Sequence, residues 1–128
     1  MAVATWAAVR ELPGFAAMVD LFGDELGDWA AAAMRAPFCL GTADELGDLL
    51  RPSFPDVVIE RHEGQACFES LDDWLYTEIR GWTLSESVDD EQFARLRRVA
   101  ATRLGRFVTA DGRVRFAAPA LIATATCP

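Results

Sequence analysis

The chain carries one histidine, His62, three cysteines and twenty acidic side chains. Acid–base or metal chemistry would draw first on these. A proton shuttle near neutral pH would use His62, because imidazole is the side chain that titrates there unperturbed. His62 stands in the run "ERHE", which reads as a solvated position near the end of a strand. No Gly-x-Ser-x-Gly elbow exists to expose a serine nucleophile, so a Ser-His-Asp set has no support. The run "DDE" at 89–91 reads as a helix start, where carboxylates complement the helix dipole without an ion. No second ligand cluster accompanies it, as a bound cation would need. Cys39, Cys67 and Cys127 are odd in number and far apart, which fits neither a disulfide framework nor a zinc knuckle. They are expected to be three buried thiols in a reducing cytoplasm. Twenty acids offer many pairs for a carboxylate hydrolase, and nothing singles one out. No catalytic residue and no metal ligand is assigned from these groups.

Composition narrows the class further. The chain has 128 residues, 52% of them hydrophobic and 25% charged, and a net charge of −8. That length supports a single domain, 1–128, burying roughly two-thirds of the surface of its unfolded form. All twelve basic residues are arginine. An acidic chain repels phosphate backbones, which argues against nucleic acid as a partner. No apolar run approaches the length of a membrane span, and the start lacks the basic and apolar regions of a secretion signal. The expected location is the cytoplasm.

The elements that must position any site follow from periodicity. "AVATW" (Ala2 to Trp6) reads as a strand, apolar on both faces. Phe15, Met18, Val19 and Phe22 recur at helical spacing, Gly23 is expected to interrupt, and Leu26, Trp29, Ala30, Ala33 and Met34 make a second stripe. Thr42 and Glu45 form a capping box before Leu46, Leu49 and Leu50. "PDVVIERHE" reads as a strand, with "QACFE" as a short strand antiparallel to it. Ser70 and Asp73 cap a helix marked by Leu71, Trp74, Leu75, Ile79 and Trp82. Asp89 and Gln92 cap the longest helix, with Phe93, Leu96, Ala100, Leu104 and Phe107 on its face. "RVRF" and "PALIATATC" close the chain as a strand with a break at Pro119. The order is an α/β layer pattern, with the last strand expected between the other two.

The stretch "PFCLGTADELGDLLRPSFPDVVIERHEGQACFES", followed by "EIRGWTLSESVDDEQ", resembles the C-terminal half of class I S-adenosylmethionine-dependent methyltransferases, in the small-molecule branch that includes quinone-biosynthesis enzymes. Ser53 departs from the glycine usual there. The resemblance implies a partial Rossmann-like sheet within an order of 3-2-1-4-5-7-6. "AVATW" resembles strand 5, "DVVIERH" strand 6 and "PALIATAT" strand 7, with a helical insert over about 70–108. Strands 1 to 4 are absent, and with them the glycine turn and ribose carboxylate that hold the cofactor. No glycine here makes a G-x-G. S-adenosylmethionine is thus implied for a complete family member, and no cofactor residue is assigned in this chain.

Open α/β sheets bind ligands outside the carboxyl ends of their strands. Trp6 and Arg10 lie at or after such an end, on the edge that faces substrate in the resembled family. Arg80 and Trp82 lie at the end of the insert helix that caps the substrate pocket in related enzymes. These four are the candidate substrate-binding residues. Their competing readings are core packing for the tryptophans and a helix C-terminal cation for Arg80. The expected function is the substrate side of a small-molecule methyltransferase, a truncated fold inactive alone. The alternative is a stand-alone homodimeric module that binds a small apolar or aromatic ligand among Trp6, Trp74 and Trp82. Either way the free edge of Ala2 to Trp6 is expected to pair with a second copy or with a complementary N-terminal half.

Overall fold

The last strand of the chain is the middle strand of its main sheet. A computed structural model describes residues 1–81 and 83–127. Strand β1 (Ala2–Trp6) leads into helix α1 (Pro13–Leu26), α2 (Asp28–Arg35) and α3 (Ala43–Leu50). Strands β2 (Val58–His62) and β3 (Gln65–Phe68) follow, then α4 (Leu71–Arg80) and α5 (Asp90–Arg103). Strands β4 (Val114–Ala117) and β5 (Ala120–Thr124) close the fold. Among the described residues no helix is long and apolar enough to cross a membrane.

The local signals act as their chemistry requires. Pro13 opens α1, where its missing N–H would have had no partner in any case. The helix does not stop at Gly23, which stays inside α1; the break falls at Gly27, whose φ of 115° suits glycine and ends the turn. Thr42 Oγ1 accepts from Glu45 N at 3.2 Å while Thr42 N donates to Glu45 Oε2 at 3.0 Å, completing the expected box at α3. Ser70 Oγ accepts from Asp73 N at 3.0 Å, and Asp89 and Gln92 make a second reciprocal box at α5. Leu104 and Phe107 lie just past α5, in a tight turn, and still reach the core.

The main sheet has the order β1-β5-β2. β5 runs antiparallel to both neighbours, with Trp6 and His62 each level with Ala120. One face carries Leu121 and Ala123, covered by Leu46 of α3 with Val3, Ile59 and Leu50 beside them. The opposite face carries Ala2, Ala4, Trp6, Val58, Glu60 and His62, all exposed. β1 is therefore an edge strand with one covered face and one open face.

β3 does not pair with β2. Its partner is β4, with Ala66 level with Phe116 and Phe68 level with Val114. The apolar side of this two-stranded sheet lies on the helices. Phe116 is the hub: its ring centroid lies 5.0 Å from those of both Phe15 and Trp74, and 5.7 Å from that of Phe107. α1 comes so close that a Cβ on Gly14 would overlap the Phe116 ring. The break expected at Pro119 is real, because β4 and β5 belong to different sheets.

The helices α4 and α5 are pinned to their neighbours by arginines. Arg97 grips Asp72 through Nε at 3.1 Å and Nη2 at 2.6 Å. Arg103 meets Asp24 at 2.8 Å. Arg95 Nε approaches Glu25 Oε2 at 2.9 Å as a contact of charges, since that buried oxygen accepts no aligned hydrogen bond. Exposed pairs of this kind contribute about 1 kcal/mol or less each, so the aromatic core supplies more of the stability.

Candidate functional site: an apolar cavity at the end of β1

A cavity of about 400 Å³ opens at the carboxyl end of β1. Each wall comes from a different element. Trp6 is the last residue of β1, Phe15 lies in the first turn of α1, and Ala33 and Met34 lie near the end of α2. Ala36, Pro37 and Phe38 form the turn after α2, Thr77 and Glu78 belong to α4, and Leu84 lies in the turn after α4. Phe15 fixes two of the other rings, with centroids 6.2 Å from Trp6 and 5.3 Å from Phe38. Phe15, Met34, Phe38 and Leu84 are buried, whereas Trp6 is 39% exposed and forms the rim. The size and apolar lining are those of a site for a small organic molecule.

Among the described residues Glu78 is the one charged residue in this wall. Helix geometry puts it there: Trp74 and Glu78 are one turn apart on the buried face of α4, with Leu75 and Ile79 beside them. It is 9% exposed. Burial pushes its carboxyl up to about 7, because the charged form loses hydration. The Trp74 indole N–H acts in the opposite direction. That N–H makes no hydrogen bond of normal geometry and is itself buried without a partner, so burial dominates. Among the described residues Glu78 makes no ion pair. A carboxyl so placed can hold or release a proton near neutral pH, and can accept a hydrogen bond from a ligand in the cavity.

The four sequence-derived candidates do not converge. Trp6 lines the cavity. Arg10 lies in a separate shallow depression with Arg35, Cys39 and Glu45. Arg80 is turned away from the cavity. Its Nη1 donates to the carbonyls of Ser85 at 3.3 Å and Val88 at 3.1 Å, and its Nη2 meets Asp90 at 2.7 Å. Its guanidinium also lies 5.1 Å from the Phe93 ring centroid. Arg80 therefore ties the turn after α4 to the start of α5. Trp82 lies outside the described residues.

Trp74, expected among ligand-enclosing tryptophans, is fully buried in the core. His62 is exposed on the open sheet face, beside Ala120. Two acids of "DDE" are occupied, Asp89 as a cap and Asp90 with Arg80, and Glu91 stands in the first turn of α5. Cys39, Cys67 and Cys127 are all exposed, not buried. They lie in a turn, on the outward face of β3 and at the C-terminal end. Among the described residues no three His, Cys, Asp or Glu side chains are grouped to hold a metal ion.

Glu78, Phe15, Met34, Phe38 and Leu84 were missed by sequence reasoning as site residues. For Glu78 a signal existed. The apolar stripe Trp74, Leu75, Ile79 skips position 78, which falls on the same face. A carboxylate inside an apolar stripe is the anomaly that marks a buried polar group. No family model matches the chain, and no curated protein matches it.

Proposed function

We propose that the chain is the substrate side of a methyltransferase-like fold and that its cavity binds a small apolar or aromatic acceptor. Two observations support this reading. The strand order β1-β5-β2 is the one expected if these strands correspond to 5, 7 and 6 of the resembled family. The cavity opens at the carboxyl end of β1, where ligands of open α/β sheets bind. The cavity is the observation that carries the proposal.

The residues present do not fit S-adenosylmethionine. Its cradle needs a glycine turn that lets the backbone approach the ligand. The glycines with positive φ are Gly27, between two helices, and Gly112, in the turn before β4. Neither follows a strand into a helix. No chemical step through that cofactor is derived for this chain. In this reading the cofactor side is contributed by a complementary half, docked on the free edge of β1.

A second reading is a stand-alone homodimeric binding module without catalysis. It is favoured by the fact that described residues of a single chain wall the cavity. Calorimetric titrations test the ligand site that the two readings share. Benzyl alcohol should bind saturably with one site per chain and lose about tenfold in affinity in Phe38→Ala, a loss of about 1.4 kcal/mol. Absence of saturable binding overturns the site. S-adenosylmethionine should show no saturable binding to the chain, and tight one-to-one binding would overturn the half-fold reading.

A further inference from the structure

We infer that the cavity takes a protonated amine carried on a small aromatic body, with the ammonium group held by Glu78. This rests on the cavity being a ligand site and names the chemical class it selects. The charge of the wall is one-sided, and the Trp6 indole N–H on the rim adds one neutral donor. Glu78 presents acceptor oxygens. Thr77 already donates its hydroxyl hydrogen to the Asp73 carbonyl at 2.8 Å, which leaves only acceptor capacity at its oxygen. Among the described residues no lining residue from β1, α1, α2 or the turns after α2 and α4 is charged.

No arginine of the neighbouring elements lines the cavity among the described residues. Arg80 is held by Ser85, Val88 and Asp90, and Arg97 by Asp72. Arg35 lines the separate depression that holds Arg10. A ligand that brings donors and positive charge therefore meets an unopposed partner. An anionic ligand would meet a like charge and no cation.

The rest of the wall agrees. The rings of Trp6, Phe15 and Phe38 give an aromatic surface that suits both an apolar body and a nearby cation. The net charge of −8 draws cations toward the molecule and repels anions. Burial holds the empty-site carboxyl near neutrality. An ammonium ion would recover the charged form by pairing with it, so affinity should rise as Glu78 ionises.

The test is calorimetric titration of the wild-type chain and Glu78→Gln with benzylamine and with its neutral isostere benzyl alcohol. For wild type, benzylamine affinity should rise about 30-fold between about pH 5.5 and about pH 8.5, the change in charged fraction of a group titrating near 7. Benzyl alcohol should show little pH dependence and bind more weakly at the upper pH. Glu78→Gln should flatten the benzylamine profile and lower its affinity at the upper pH by about tenfold or more, the loss of a charge-assisted hydrogen bond. If benzyl alcohol binds wild type as tightly as benzylamine at the upper pH, the amine assignment is overturned and the cavity reading stands. If neither binds saturably, both fall. An unchanged benzylamine profile in Glu78→Gln would place the amine elsewhere and overturn the inference.

Discussion

Trp6, at the carboxyl end of β1, and Glu78, one turn after Trp74 on α4, line the same cavity. They lie 72 positions apart in sequence, and the fold brings an exposed indole and a buried carboxyl to one wall. Their different burial makes opposite predictions for substitution.

Trp6→Ala should lower ligand affinity with little effect on folding. The ring is 39% exposed and makes one tilted contact with Phe15 at 6.2 Å. The expected cost is about 1 kcal/mol. Trp74→Ala should cost about 3–5 kcal/mol, as large truncations of a packed core do, because Trp74 is fully buried between Phe68, Phe107 and Phe116. Urea midpoints of the two variants measure the difference. Equal losses would place Trp6 in the core and remove it from the site.

Stability should fall as pH rises from about 4.5 to about 7. The folded-state value of Glu78, about 7, lies above its ordinary value of 4.5. Between these values the folded state binds more protons than the unfolded state, so raising pH favours unfolding. Below pH 4.5 the penalty is absent, and above 7 it is fully present. Its size is about 3 kcal/mol by linkage, from the difference between about 7 and 4.5. Glu78→Gln should remove this slope and be more stable than wild type at alkaline pH. Parallel slopes in the two proteins between about pH 4.5 and about pH 7 would show that Glu78 is not the titrating group.

Arg80→Ala should act on stability. It removes the guanidinium that holds Ser85, Val88 and Asp90 around the turn after α4. The expected loss is about 1–2 kcal/mol. Arg80→Lys should recover only part of it, since an ammonium cannot reproduce the fork. Full recovery by lysine in chemical denaturation would mean the charge alone matters.

The open side of β1 should drive association when no other partner is present. Among the described residues β5 is the one strand paired with β1, and Ala2, Ala4 and Trp6 are exposed on one face. A bare edge of this kind is a template for another strand. Ala4→Lys should reduce self-association with a native spectrum. Val3→Lys should instead unfold the chain, because Val3 packs with Leu46, Leu121 and Ala123. A monomer mass for wild type at high micromolar concentration, by light scattering, would contradict pairing through this edge.

What could be read from the sequence was what neighbouring residues decide. The boxes at Thr42 and Asp89 and the cap at Ser70 need only side chains three residues apart, and all three form. The closing strand between the other two was legible because its apolar half needs cover on both sides. The partner of β3 was not legible. "QACFE" follows β2 closely, yet Phe68 and Ala66 pack with β4 on the aromatic cluster around Phe116. Gly23 and Gly27 look alike in sequence, and only Gly27 takes the backbone angle that breaks a helix. Arg80 was a candidate because the insert helix caps the substrate pocket in the resembled family, and its carbonyl partners come together only once the turn is folded.

The most direct test of the cavity as a ligand site is an indole N–H nuclear magnetic resonance titration of the ¹⁵N-labelled chain with benzyl alcohol. Trp6 lines the cavity and Trp74 lies behind it, one turn from Glu78, whereas Trp29 is exposed and donates to the Leu26 carbonyl at 2.9 Å, away from the cavity wall. Saturable shifts of the Trp6 and Trp74 signals, with Trp29 unmoved, are the result this structure predicts. No saturable shift at Trp6, or equal shifts at Trp6 and Trp29, would contradict it.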